Sequence, residues 1–293
     1  MMRNIARHPA ARGLLDDAAV IELGAETLIL THDMMAEDVH WLPTADPADV
    51  AWKLVSVNLS DLAAKGARPL GVLLGFMLGD SEWDRRFGEG LKVALDHYDV
   101  PLLGGDTVAN RGDKRAFGMT AVGAATYNPV PSRSGAQPSD IVYVTGTLGD
   151  ALAGFELAEA GLEPMTSAYN RPVARLADGQ TLAPAVTAMM DISDGLLLDA
   201  ERIAIASKVG IAIDIAAIPL SADYIRQRGS SFDSRIQAAS WGDDYQLLFT
   251  APASAQMSIA ATAIGHATTG SGLSLTDAGM PVPLPASLGY QHG

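Results

Sequence analysis

Along the chain, short apolar runs that close on aspartate alternate with stretches of helical period. Thr27–Leu30 (TLIL) has strand composition and leads into a polar segment carrying Asp33. Asp46-Pro47 supplies an N-cap and a first-turn proline for a helix that Gly66 can close. Val50, Leu54 and Val57 share one face of that helix, and Asp61 continues the stripe, which predicts an inward-pointing carboxylate. Such a group needs a metal, a basic partner or a hydrogen-bond network to offset its desolvation. An apolar run over 71–78 follows, then an amphipathic helix through Phe87, Leu91 and Leu95. A strand over 100–103 is predicted to end in Gly104-Gly105-Asp106, and another spans 116–126.

Apolar period stops over 128–138, where Pro, Ser and Gly accumulate, so domains are predicted over 1–130 and 131–293. In the second unit the pattern predicts a strand over 141–145, a helix over 148–160 ended by Gly161, and a helix over 171–182. A strand over 186–190 runs into DISDG, after which Leu196, Ala200, Ile203 and Ser207 mark one helix face. Further strands are predicted over 211–215 and 246–250. From 251 to 285 the chain is rich in Ala, Ser, Thr and Gly and carries no clear period.

The aspartates then change the picture. Asp16-Asp17, Asp33, Asp106, Asp191 and Asp194 stand beside apolar runs, where ligands bind open sheets, and Asp61 joins them from a helix. Converging carboxylates repel unless a cation neutralises them, and Mg²⁺ suits an all-oxygen donor set that also holds phosphates. Mg²⁺-dependent nucleotide chemistry is therefore expected. The formal charge of −14, from 34 acidic against 20 basic residues, argues against nucleic-acid and anionic-membrane partners. There is no cysteine, which excludes disulfides, thiolate metal sites and a cysteine nucleophile. The longest apolar stretch, 70–79, is too short to span a bilayer, and MMRNIARHPAARG lacks the apolar core of a signal peptide. A soluble cytoplasmic protein is expected.

Each motif also has a plainer reading. No Walker loop, dinucleotide fingerprint or protein-kinase signature is present. Gly104-Gly105-Asp106-Thr107 makes either a tight turn or a close backbone approach to phosphate. Ser193 and Asp194 could simply cap a helix, but capping does not explain Asp191 as well. Asp243-Asp244 reads as a turn entering a strand, His40 as a packing histidine, and Arg133 as a surface charge unless it lies near phosphate.

Taken in order, DDAAV, THDMMAEDVHW, KLVSVNLSDLAAKGARP, LLGGDT, RSGAQPSDIVYVTGTLGD, MMDISDGLLLD, IPLS, WGDDYQLLF and GYQH resemble the thiamine-monophosphate kinase family. That family shares its fold with aminoimidazole ribonucleotide synthetase and selenophosphate synthetase. The resemblance implies an α+β fold of two α/β-layered domains, with the N-terminal sheet shared across a homodimer. It implies direct transfer of the ATP γ-phosphoryl group, with several Mg²⁺ ions, onto thiamine monophosphate. By motif, Asp17, Thr31, Asp33, Asp61, Asp106, Asp191 and Asp194 match magnesium positions, of which Asp61, Asp106 and Asp194 are also expected to be catalytic. Gly105, Asp106, Arg133 and Ser193 match ATP contacts; His40 and Asp243 match the acceptor side.

The chain departs from the family pattern at Leu15 and His32, at Trp241 in place of a glycine, at the shorter acid Asp243, and at the closing Gly293. These departures gather on the acceptor side. They leave open another acceptor within the superfamily, or a nucleotide binder without catalysis. The absence of cysteine counts against selenophosphate synthetase and the hydrogenase-maturation relatives.

Overall fold

The computed structural model describes residues 5–162 and 168–291. The first five strands, β1 (Ala19–Leu23), β2 (Glu26–Ala36), β3 (Ala67–Leu78), β4 (Leu102–Ala109) and β5 (Ala116–Ala125), form one sheet in the order β1-β2-β5-β3-β4. Its pairs are antiparallel except β3 with β4. Helices α1 (Pro47–Ala64) and α2 (Ser81–Tyr98) pack against each other, and α1 lies on the sheet over β2 and β5. Segment 126–140 contains neither helix nor strand.

The second sheet has seven strands, β6 (Ile141–Thr145), β7 (Ala188–Asp191), β8 (Gly210–Asp214), β9 (Leu247–Ala251), β10 (Ala261–Thr268), β11 (Gly272–Asp277) and β12 (Met280–Val282), ordered β12-β11-β8-β10-β6-β9-β7. Helices α3 (Asp150–Glu159), α4 (Leu176–Leu182), α5 (Leu196–Ser207), α6 (Ala222–Arg228) and α7 (Phe232–Trp241) accompany it. The expected α+β architecture of two layered units is present. Among the described residues, no helix is long and apolar enough to cross a membrane.

Helix α1 positions the site. Asp46 accepts a bond from the Ala48 N–H at 3.0 Å, and Pro47 occupies the first turn, as the sequence predicts. Nearly the whole helix is buried, because its second half is wedged between the two sheets. Ala63 and Ala64 pack with Leu182, Met189, Leu247 and Phe249 in a small core joining the domains. The approach depends on Gly179 of α4, where a Cβ would lie 2.0 Å from the Ala63 carbonyl oxygen. Tight contact at Ala63 and Ala64 carries Ser60 and Asp61 up to β7 of the other domain.

Four stretches differ from their sequence expectations. β2 runs on to Ala36, so Asp33 lies inside a strand, because continuous pairing with β5 through Ala36 overrides the polar composition. β4 spans 102–109 and carries Gly104, Gly105 and Asp106 within it, held by β3. The helix expected from 171 starts only at Leu176. Residues 171–175 stay non-helical, with the Pro172 carbonyl accepting from Trp52 Nε1 (2.8 Å) and the Ala174 N–H donating to Tyr98 Oη (2.9 Å). The stretch after 251 holds β10 to β12, whose small side chains gave no alternation to read. His292 and Gly293 lie outside the described residues.

Candidate active site

A cleft of about 1060 Å³ opens between the domains. Of the residues singled out in the sequence, Asp17, Asp33, His40, Asp61, Arg133, Asp191, Ser193, Asp194 and Asp243 line it. Thr31 stands just behind, with its hydroxyl donating to Asp61 and, at 3.3 Å, to the Asp17 carbonyl. Gly105 and Asp106 are not among the lining residues; they sit on the exposed edge strand β4. Gly105 has φ +151°, and a Cβ there would lie 1.8 Å from the Leu74 carbonyl oxygen. Within one chain, therefore, this glycine serves the β3–β4 pair.

At the centre, one oxygen each from Asp17, Asp61 and Asp191 lie within 4.8 Å of one another. Asp17 comes from the segment before β1, Asp61 from α1 and Asp191 from the end of β7. Asp33 belongs to the same group: residues 31 and 33 share one face of β2 while His32 takes the other, bonded to Thr120 Oγ1 at 2.9 Å. The His32 departure therefore places no side chain on the carboxylate face. Asn58 holds Asp33 in place by accepting its N–H at 2.9 Å, and Ser60 Oγ donates to Asp191 at 2.6 Å.

Burial raises Asp33 to about 6; the His32 charge opposes this, while Asp17 and Asp194 add to it. Burial also lifts Asp191 to about 7, reinforced by the Asp17 charge. Asp61 is pushed well above the ordinary carboxylate range by burial and then by Asp33, Asp191 and Asp17. These carboxylates are crowded enough to resist ionising together, as expected of groups arranged to share a multivalent cation. Asp17 Oδ2 receives no hydrogen bond among the described residues; its Lys65 contact at 2.5 Å is an ion pair outside hydrogen-bonding geometry. An all-carboxylate donor set of this kind fits Mg²⁺.

Two cations, Lys65 and Arg133, pair directly with Asp17 of the cluster, and others stand around it. Lys65, with 0% of its side chain exposed, lies 2.5 Å from both Asp16 and Asp17. Arg12 pairs with Asp16 at 2.5 Å and donates to the carbonyls of Val130 and Pro131. Arg133 Nε donates to Asp17 at 2.7 Å, so the guanidinium is in the cleft rather than on the surface. On the far side, Arg202 lies 2.6 Å from both Asp194 and Asp199.

The capping reading of Ser193 and Asp194 does not hold. The cap residue of α5 is Gly195, with no side-chain bond. Instead Asp199, inside the helix, accepts from the Ser193 and Asp194 N–H groups at 3.1 and 3.2 Å, leaving both side chains facing the cleft. At the other end, Lys53 Nζ donates to Asp243 (2.7 Å) and to the His40 carbonyl (3.1 Å). The His40 ring accepts the Ala36 N–H at 3.0 Å.

Sequence reasoning passed over Lys53, Ser60, Lys65 and Arg202. Lys65 could have been found, since it falls four residues after Asp61 on the same stripe. Lys53 and Arg202 gave no signal beyond ordinary helix charges.

Residues 15–125 match the model of AIR synthase related protein, N-terminal domain, and 137–277 that of the C-terminal domain. The thiamine-monophosphate kinase of Salmonella typhimurium is 36% identical over 96% of this chain and 91% of its own. That of Caulobacter vibrioides is 35% identical, covering 100% of this chain and 89% of its own. The solved structure "AaThiL complexed with AMPPCP and TMP" superposes with a TM-score of 0.87 at 31% identity, over 99% of this chain and 94% of that one. With both domains matched and the identity sustained along the whole chain, this protein belongs to the thiamine-monophosphate kinase family, within the AIR synthase related proteins.

Proposed function

We propose that this chain phosphorylates thiamine monophosphate at the expense of ATP, giving thiamine diphosphate and ADP. The observation that carries this reading is the convergence of Asp17, Asp61 and Asp191, from three separate segments, in a cleft with Arg133 and Arg202 on its walls. The family relationship and the two ligands of the related solved structure support it. An acceptor phosphate oxygen attacks the γ-phosphorus, the bond to the β,γ-bridging oxygen breaks, and ADP leaves; no side-chain nucleophile takes part. Both reactants are anionic, so their approach needs positive charge and fixed alignment.

Asp17, Asp33, Asp61, Asp191 and Asp194 would hold Mg²⁺, with Thr31 orienting Asp61. When bound, the ions would neutralise charge on the donor and acceptor phosphates. Arg133 and Ser193 are assigned to the ATP phosphates, and His40 and Asp243 to the acceptor side. Incubation with γ-labelled ATP alone should leave the protein unlabelled, and adding thiamine monophosphate should move the label into thiamine diphosphate. ATP turnover indifferent to that acceptor would sink the reading. MgATP and a cysteine-free sequence both suit a cytoplasmic setting.

The raised carboxylates fix the sign of a pH effect. Their folded-state pKa values lie above the ordinary 3.8, about 6 for Asp33 and about 7 for Asp191, so their contribution to stability is complete below pH 4 and lost as pH rises through 6 to 7. Mg²⁺ competes with the proton for the same oxygens. The rise in Tm on adding Mg²⁺ should therefore be larger at pH 8 than at pH 5, as scanning calorimetry can measure. An equal rise at both would remove the carboxylates from metal binding.

We also infer a homodimer formed through β4. Every residue of this edge strand is exposed, including Leu103 at 57% and Val108 at 51%, beside Leu73 and Leu78 of β3. An open apolar edge of this kind is an aggregation hazard unless covered. A sheet continued across that edge would also account for Asp106, which does not line the cleft of one chain. Leu103→Arg with Val108→Glu should convert dimer to monomer in sedimentation and lower activity at least tenfold. A monomeric wild-type enzyme with full activity would dismiss the dimer.

A further inference from the structure

The acceptor end of the cleft carries three aromatic rings beyond the residues used so far. Phe155 of α3 stands 5.0 Å from Trp241, the last residue of α7, with their planes 37° apart, and 5.3 Å edge-on from Tyr169. All three line the cleft. Tyr169, only 6% exposed, already carries one cation on its face, since Lys53 Nζ lies 4.2 Å from its ring centre.

Trp241 is held in place by the loop that follows it. Gly242 has φ +102°, and a Cβ there would lie 2.4 Å from the Ser193 carbonyl oxygen. The same loop is bonded onto the aspartate segment through Asp243 N–H to Ser193 O and Tyr245 N–H to Ile192 O, both at 2.8 Å. The indole is thus fixed relative to Asp191 and Asp194.

Charge divides the cleft. Arg133 and Arg202 stand at the end that suits a polyphosphate. At the aromatic end the Lys53 ammonium is taken up by Asp243, and Glu159 adds a further carboxylate at the rim. Rings with acidic neighbours and, among the described lining residues at that end, no guanidinium suit a flat, positively charged heterocycle rather than a phosphate.

We propose that Phe155, Tyr169 and Trp241 form an aromatic wall that holds the cationic ring system of thiamine monophosphate, with Trp241 setting selectivity for it. The assignment rests on the kinase function proposed for this cleft. The thiazolium and aminopyrimidine supply the cation and the flat face, while the phosphate reaches toward the aspartates. A ring pressed on Trp241 gains affinity without touching the reacting atoms, so the effect belongs in KM rather than kcat.

Trp241→Ala should raise the KM for thiamine monophosphate about ten- to a hundredfold, with kcat and the KM for ATP within about threefold of wild type. Trp241→Phe should restore most of the loss, which also guards against misfolding of the alanine variant. Titration of wild-type protein with thiamine monophosphate alone should quench tryptophan fluorescence, and the Trp241→Ala protein should lose that response. A rise in the KM for ATP instead would assign the wall to the adenine base and overturn the proposal. An unchanged acceptor KM would overturn it while leaving the kinase reading intact. Failure of wild-type turnover to depend on thiamine monophosphate would overturn both.

Discussion

Asp61→Asn is expected to leave the fold intact and to lower kcat about a thousandfold. The asparagine amide keeps the size of the carboxyl and can still accept the Thr31 hydroxyl bond, but it loses the charge that would hold Mg²⁺ between α1 and β7. A cation clamp on the transferred phosphoryl group contributes several kcal/mol, and each 1.36 kcal/mol is a factor of ten, which sets the thousandfold scale. Stability should move the other way. Burial and three neighbouring carboxylates raise Asp61, so a neutral residue relieves repulsion and the metal-free variant should melt no lower than wild type. Loss of activity together with a diminished Tm rise on adding Mg²⁺ would place the defect in metal binding. More than a tenth of wild-type turnover at limiting Mg²⁺ would remove Asp61 from the metal site.

Asp61 was legible in the sequence because helical period carries a residue's direction, and the stripe through Val50, Leu54 and Val57 fixed the inward face. Asp191 was legible for a related reason, since a buried strand leads straight into it. The place of Asp106 inside a strand was not, because nothing in LLGGDT distinguishes a strand that stops at the glycines from one that runs through them. The deciding contact is the parallel pairing with β3, which is remote in sequence. Arg202 and Lys53 escaped for the same reason. Each reads as an ordinary solvated charge on its helix; Lys53 acquires its partner Asp243 from a segment remote in sequence, and Arg202 adds Asp194, from before the helix, to its own-helix partner Asp199. The capping reading of Asp194 failed because α5 begins only after Gly195, and the N–H groups of Ser193 and Asp194 are themselves taken by Asp199, the fourth residue of the helix. Local chemistry identified the need for acceptors there but not which aspartate would meet it.

Lys65→Met is expected to cost about 3–5 kcal/mol of folding stability, the range for removing one partner of a buried ion pair. Methionine matches the length of the aliphatic stem and removes only the charge. Lys65 stands 2.5 Å from both Asp16 and Asp17 with no exposure, so its loss leaves Asp16 to Arg12 and Asp17 to Arg133 in a site already short of positive charge. Burial would raise Asp16, but Lys65 and then Arg12 outweigh it and hold the carboxyl well below the ordinary 3.8. A depressed carboxylate contributes stability above that ordinary value and loses it as pH falls toward the folded-state value. The gap between wild type and Lys65→Met, measured by denaturant unfolding, should therefore narrow progressively below pH 4. It should also shrink when Mg²⁺ is added at neutral pH, because a bound cation replaces part of the missing charge beside Asp17. Adding Asp16→Asn to Lys65→Met should recover about half of the loss, since it removes the carboxylate that the first substitution left underpaired. A Lys65→Met protein within 1 kcal/mol of wild type would mean that Arg12 and Arg133 suffice to hold the aspartate pair, and that the buried ammonium is not what keeps Asp17 in place for metal.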